Sequence, residues 1–588
     1  VPKLSQEERV TRADLIYHNT EDARSRYTQK WYQNEAFYEN NHFVMWNAAY
    51  RTIDRISAPV GRVMRAIPKA RRQVKAIQNM ILSNDTRWTV LPDEAGPKAE
   101  DAAKRTNEWL RETWQKINVR NKLDALIIDS CNMTHAWLEA GFDKYRDEVY
   151  VDEYDAFDIL TPSWVDSDNY EDSPFIMKTV RKTMAELEEL YGKGKVRDLA
   201  PDNKMAANLY KEYRLNEKIQ EKVQQDSDLQ TVIVYVLYEK QKRQGQKNLI
   251  CRTTYAGKRM LEYLEYESNS YPFVPYSPQT GSFYQPALIE EFIPTNKALD
   301  MMVSHIENYT NLMVRGRYMI QEGNNISRMA NEDGEILTYR TTPPEQQQIY
   351  PLPNFLFTQM GNYEKWIEES GVSTSALGKA PKGIRAYKAI ESLKQSDFAN
   401  LRVPIKNLED CLQKLTEKII DIAAENYILP KTVYKTKDDV PDNFSVIGEK
   451  GAALFANQSM MQGEAAPTVI KQSYRIKCTV ESGLSYTEEG KKDTLWQLFQ
   501  GGVIGQKTLL EGYKFGNVAE TMEDADEGSM IPIMESAEFH ILPPEMQKMI
   551  VTYLNQPDIL QMNPIARSEM IKKKRKGRAG ANTSFKKQ

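Results

Sequence analysis

Cysteine is scarce in this chain of 588 residues: Cys131, Cys251, Cys411 and Cys478 stand far apart. Their spacing matches neither a CxxC metal pattern nor a dense disulfide framework, so buried, reduced thiols are expected. Histidine is nearly as scarce. His18, His42, His135, His305 and His540 form no HExxH and no His/Cys pair at ligand spacing, which argues against a metal site. No stretch approaches the roughly 18–20 apolar residues of a membrane span. The opening VPKLSQEERVTRADL is charged and has no apolar signal core, so a soluble, unexported protein made in a cytoplasm is expected. Excess charge of one sign is missing too: 78 Lys and Arg face 82 Asp and Glu, for a net charge of −4. Sequence-reading DNA binding is therefore disfavoured, and any contact with nucleic acid must come from local patches.

Enzyme signatures are also absent. A phosphate-binding loop needs GxxxxGK followed by Ser or Thr, so that amides cradle phosphates and the hydroxyl reaches Mg²⁺. Gly371 to Ala380 has six residues between its glycines and Ala380 where the hydroxyl belongs. In GGVIGQKT, Gln506 separates Gly505 from Lys507. The acidic runs Asp152 to Asp158 and Glu523 to Glu527 read as solvated turns rather than Mg²⁺ sites of a nuclease. No catalytic residue, metal or cofactor is assigned.

What is present is enough to fold. With 41% hydrophobic and 10% aromatic residues, the chain can bury real cores in three or four lobes. The first lobe reads as α+β. Helices are predicted over Asn47 to Asn84 (broken near Pro59 and Pro68), Lys98 to Ile117 and Val119 to Glu139, with a strand RWTVLP between the first two. Val149 to Leu160 reads as strand and turn, and Phe175 to Arg181 as a strand before a helix capped by Thr183 and Glu186. A polar helix near Met205 to Gln225 precedes antiparallel strands Leu229 to Tyr238 and Asn248 to Tyr255. Then YPFVPYSPQTGSFYQP leads into a helix over Pro286 to Val314, interrupted at Pro294. A strand RYMIQEGN, a proline-rich excursion and a helix Phe355 to Glu369 follow.

The most distinctive stretch is Gly371 to Tyr427. GVSTSALGKAPKGIRAY has three glycines for backbone freedom, and its only charges are Lys379, Lys382 and Arg385. Beyond it, Phe398, Leu401, Ile405, Leu408, Leu412, Leu415, Ile419 and Ile422 alternate at spacings of three and four. Such a seam predicts a long amphipathic helix, about 65 Å from Arg385 to Tyr427, either a coiled coil or the longest element of a core. Pro404 predicts a kink near Asp397 to Leu401 and argues against a straight zipper.

The order of these phrases resembles the portal protein of tailed bacteriophages and related viruses. The resemblance is carried by WNAAYRTIDRISAPVGRVMRAIPKARRQVKAIQNMIL, DILTPSWVDSD with MAELEELYG, the YPFVPYSP run, and GVSTSALGKAPKGIRAYKAIESLKQSDFANLRVPIKNLEDCL. It implies a mainly α, α+β portal fold with wing, stem, clip and crown regions and a long kinked spine helix. On this chain the resemblance implies an N-terminal wing over 1–283, stem helices over 284–316 and 354–372, and a clip over 317–353. The tunnel loop would be 373–385, the spine helix and remaining wing 386–490, the crown 491–545, and 546–588 a C-terminal segment.

It further implies a homo-dodecameric ring at one capsid vertex of the virion, assembled in the host cytoplasm, through which genomic DNA is packaged and ejected. The implied partners are the major capsid protein, the terminase large subunit, head-tail adaptor or tail proteins, and double-stranded DNA without sequence specificity; no membrane is implied. Lys379, Lys382 and Arg385 are then candidate channel residues, and Glu290, Glu291, Asp300 and Glu307 candidate lumen acids that offset them. The tail from Arg567 carries nine Lys or Arg against one acid. It reads as solvated, and Lys572, Lys573, Lys574, Arg575, Lys576 and Arg578 are candidates to meet packaged DNA or scaffold. The alternative is another oligomeric virion or cytoplasmic scaffold that conducts no DNA.

Overall fold

The computed structural model describes residues 5–47, 52–82, 86–92, 96–218, 230–241, 248–268, 270–315, 318–322, 342–343, 345–346, 348, 350–372, 400–437, 440–454, 467–480, 495 and 498–499. The chain divides into two compact units: Val1–Lys435 with Asn443–Ser482, and Thr436–Asp442 with Gly483–Gln588. The first is mixed α+β.

It opens on α1 (Gln6–Tyr38), which the hydropathy pattern does not announce because its apolar positions are sparse. Its start is nonetheless written locally: Ser5 accepts from the Glu8 amide while Glu8 accepts from the Ser5 amide. The helix is held by Arg24, which is buried and donates to the Ala156, Phe157 and Ile159 carbonyls at 2.9, 2.6 and 2.9 Å. A hairpin of β1 (Val44–Asn47) and β2 (Thr52–Arg55) follows. The helix predicted from Asn47 forms only as α2 (Lys69–Leu82). Pro59, Gly61 and Pro68 keep the intervening segment extended, since proline supplies no amide to a helical ladder.

Next come β3 (Thr86–Leu91), α3 (Pro97–Ile117) and α4 (Val119–Met133). The helix predicted to reach Glu139 ends at Met133. Thr134, at φ +75°, stops it, and the apolar run continues as β4 (Ala136–Asp143), paired with β5 (Glu148–Asp155). After β6 (Ile159–Leu160) and β7 (Phe175–Thr183), the capping box of Thr183 and Glu186 starts α5 (Met184–Tyr191) as predicted. Helices α6 (Lys193–Val196) and α7 (Leu209–Lys218) lead to β8 (Thr231–Gln241), β9 (Leu249–Ala256) and β10 (Arg259–Glu267). Strands β10-β9-β8-β7-β6 form an antiparallel sheet, and β11 (Phe273–Tyr276) pairs with β4. Trp137, Ile176, Val234, Tyr271, Phe273 and Phe283 lie in its core.

A 3₁₀ turn Leu288–Glu291 precedes α8 (Ile293–Arg315). Pro294 sits in the first turn of α8, where its missing amide removes no helical bond, so it marks a start rather than an interruption. The pair β12 (Tyr318–Met319) and β13 (Glu345–Gln346) precedes α9 (Phe355–Ser370), which packs on α8. Within the described residues the spine is α10 (Arg402–Asn426), with Pro404 in its first turn; Asp397 to Ala399, where part of the kink was predicted, lie outside them. Leu408, Leu412, Leu415 and Ile419 are buried, and α10 packs on β4 and β11 of its own chain. The seam is core packing here. Strands β14 (Lys431–Lys437) and β15 (Val440–Gly448), helix α11 (Glu449–Leu454) and strands β16 (Thr468–Ile470) and β17 (Arg475–Val480) complete the described elements; β17 pairs with β3. All four cysteines are free and buried. Among the described residues no helix is long and apolar enough to cross a membrane.

Candidate functional site

Helix α8 carries a polar line at every fourth residue: Asn296, Asp300, Ser304 and Asn308. At 3.6 residues per turn these share one face. That face serves the extended segment before α2. The amides of Val63, Arg65, Ile67 and Ala70 donate to Asn308 Oδ1, Ser304 Oγ, Asp300 Oδ1 and Asn296 Oδ1 at 2.6, 2.8, 2.8 and 2.9 Å. In return Asn308 and Asn296 donate to the Val63 and Ile67 carbonyls, each at 2.9 Å. A backbone that cannot pair with itself is thus satisfied by side chains of a helix. The four-residue spacing was the legible signal, and apolar periodicity alone passes over it.

Three of the four candidate lumen acids have partners within the chain. Glu290 accepts from the Ala287 amide and the Asn34 side chain, each at 3.1 Å. Glu307 pairs with Arg65 at 2.9 Å. Asp300 is only 1% exposed, and His42 Nδ1 lies 2.5 Å from its Oδ2. Asp300 therefore leaves the set of surface acids, because its charge is consumed by internal donors. Glu291 is exposed.

The root of the glycine-rich loop is fixed. The Val372 amide donates to Gln73 Oε1 at 2.9 Å, and a Cβ at Gly371 would stand 2.7 Å from that same oxygen. A side chain there would displace Gln73 from this bond. Lys379, Lys382 and Arg385 lie outside the described residues, as do Lys572, Lys573, Lys574, Arg575, Lys576 and Arg578.

A buried charge cluster sits where α1, α4, β5 and α7 meet. Lys211 reaches Asp155 at 3.1 Å and also pairs with Asp158, while Arg214 reaches Asp155 at 3.3 Å and Glu35 at 3.6 Å. Burial, reinforced by Asp155, pushes Asp129 well up and Glu153 up to about 7. Asp155 is pushed up by burial as well, yet Lys211 and Arg214 outweigh this and hold it below the usual range. The acid stretch read as a solvated turn is thus partly internal, and its charges serve packing.

For an acid whose folded pKa is raised, the folded state keeps its proton while the unfolded chain ionises, so stability falls as pH rises between the two values. For Glu153 that window runs from about 4.5 to about 7. Glu153→Gln is expected to flatten this decline and to melt above wild type at about pH 7.5 but not at about pH 4.5, by roughly 1–3 kcal/mol. Equal melting curves for the two proteins across that range would remove the buried-acid assignment.

Nothing in the described residues assembles catalytic chemistry. No group of three or more His, Cys, Asp or Glu is placed to hold a metal ion among them. A cleft of about 260 Å³ beside Trp109 is lined by charges of both signs already paired, Lys122 with Asp152 and Arg146 with Asp143. No curated protein matches the chain. Comparison with protein families matches residues 15–570 to the phage P22-like portal protein. By that match over most of its length, the chain belongs to the phage P22-like portal protein family, a structural, non-enzymatic family of virion components.

Proposed function

We propose that the chain assembles into a homo-dodecameric ring at one capsid vertex and forms the channel for packaging and ejection of genomic DNA. In this reading α8 and α9 are the stem, the segment between them the clip, 373–385 the tunnel loop, and α10 the spine. The sheets before α8 and the strands after α10 build the wing, and 491–545 the crown. The observation that carries the reading is the apolar surface left on the helix pair. Val314 is 81% exposed, Phe355 66%, and Met301, Phe357 and Trp366 on the same two helices are exposed as well. A monomer seldom leaves such surface in water, whereas neighbouring copies in a closed ring cover it.

Lys379, Lys382 and Arg385, multiplied by ring symmetry, supply a positive collar that tracks phosphates without reading bases, and Glu290, Glu291 and Glu307 are the acids that offset it. The clip receives the terminase large subunit and later the head-tail adaptor or tail proteins, and the wing meets the major capsid protein. Lys572 to Arg578 face packaged DNA or scaffold. A virion scaffold that conducts no DNA is the competing reading. Negative-stain images of the purified protein decide between them: rings with a central hole wide enough for a duplex are expected, and filaments or compact dimers reject the channel. Phe355→Glu with Trp366→Glu is expected to shift the mass distribution from rings to monomers.

A further inference from the structure

From Arg51 to Lys75 the chain carries eight Lys or Arg and a single acid, Asp54, in a protein of net charge −4. The described part of this run has a defined presentation. The backbone from Val63 to Ala70 is pinned to α8 by the side-chain ladder, leaving Arg62 and Arg65 exposed. The chain then enters α2, which buries Ala70, Gln73, Val74 and Ile77 and turns Arg72 and Lys75 outward. Arg72 and Lys75, three apart, share a helix face. Arg62, Arg72 and Lys75 take no ion pair among the described residues. Arg65 pairs with Glu307 and Lys69 with Glu364, both through partly exposed carboxylates. Exposed pairs of this kind are weak and exchange readily for another anion.

We propose that the strap before α2 and the outward face of α2 form a nucleic-acid contact surface separate from the 373–385 loop, with Arg62, Arg65, Arg72 and Lys75 holding the sugar-phosphate backbone of duplex DNA. Three of the four are arginines, whose planar donors match phosphate oxygens. The array is linear: at about 3.3 Å per extended residue and about 1.5 Å per helical residue it spans roughly 30 Å, a length of strand rather than one anion. Between Arg62 and Lys75 there is no aromatic residue on which an unpaired base could stack, which favours a duplex over a single strand. The apolar residues of that stretch are buried or half-buried, so no anchor for a lipid surface accompanies the charge. Ring formation is not required for this contact.

The test is fluorescence anisotropy of the full-length protein with a random-sequence duplex of about 40 base pairs, from about 50 to 300 mM salt. Arg62→Gln/Arg72→Gln/Lys75→Gln is expected to make the slope of log affinity against log salt shallower by about 0.9 per lost contact, about 3 in all, and to weaken binding more than about tenfold at the lowest salt. Arg62→Lys/Arg72→Lys/Lys75→Arg preserves charge and fold and is expected to keep the wild-type slope. A slope unchanged in the glutamine variant overturns the proposal. So does displacement of the duplex by polyglutamate of equal charge as readily as by unlabelled DNA, which would make the surface a dock for an acidic protein. Mass photometry of the same samples reports ring formation separately. Lys379→Gln/Lys382→Gln/Arg385→Gln, titrated alongside, reports the loop.

Discussion

Glu171→Ala is expected to destabilise the protein by roughly 3 kcal/mol or more, the low end of the range for removing one partner of a buried ion pair. Glu171 joins three elements. Its Oε1 accepts from Lys418 of α10 at 2.7 Å, and its Oε2 accepts from Lys240 of β8 at 3.1 Å and from the Tyr271 amide at 2.9 Å. Lys418 and Lys240 are 7% and 3% exposed at their side chains and Glu171 33%, so the charges that its removal would strand are the buried ones. Burial lifts the Glu171 carboxyl, but Lys418, the Tyr271 amide and Lys240 together outweigh it and the group is held below the usual range. Burial pulls the Lys418 ammonium down, and Glu171 only partly restores it.

The alanine variant leaves two buried cations facing each other. Lys418→Met, by contrast, leaves Glu171 with Lys240 and is expected to cost about 1–2 kcal/mol. The double variant should then be more stable than Glu171→Ala alone, since it removes one of the two buried cations that have lost this carboxylate. Chemical denaturation of the three variants measures this. If Lys418→Met proves as damaging as Glu171→Ala, the carboxylate is not the centre of the network.

Asp300→Ala is expected to cost about 3 kcal/mol through lost hydrogen bonds. Its Oδ1 receives the Ile67 amide at 2.8 Å and the Asn296 side chain at 3.2 Å, and its Oδ2 faces His42. Phe37 stacks on the His42 ring at 3.7 Å, so the carboxylate ties the end of α1, the extended strap and α8 to one point. The loss should be local first. Hydrogen exchange at 60–70 is expected to accelerate before any change in the β-sheet, and Asp300→Asn, which keeps an oxygen for Ile67, is expected to fall between wild type and alanine. Wild-type exchange in Asp300→Ala would mean that the ladder does not hold the strap.

These two carboxylates mark where sequence reading stops. Glu171 stands in an acidic turn and Asp300 on an amphipathic helix, and nothing local separates either from a solvated acid. Long-range partners decide: Lys418 is 247 residues from Glu171, and His42 is 258 from Asp300. The capping pairs were different. Thr183 and Glu186 satisfy amides within one turn, so three residues of sequence contain the whole interaction. The 33 residues of α1 lie between these cases, with a local capping box at the start and an apolar face too broken to declare the rest. Beta-strand β4 was absorbed into a predicted helix because an apolar run buried on both sides has no period, and only the break at Thr134 and the partners β5 and β11 separate the two.

By itself, the sequence determined what could be written in local order: the mixed α+β class, the starts of α3, α4, α5 and α9, the seam on α10, and the succession of phrases that places the chain among P22-like portal proteins. Those depend on contacts within a few residues or on the linear order of elements. Tertiary structure alone decided that the seam packs against its own chain, that Asp300 is an internal acceptor, and that a basic strap lies along α8. Burial and charge pairing are set by partners hundreds of residues away, and a carboxylate's role follows from which of them desolvates it.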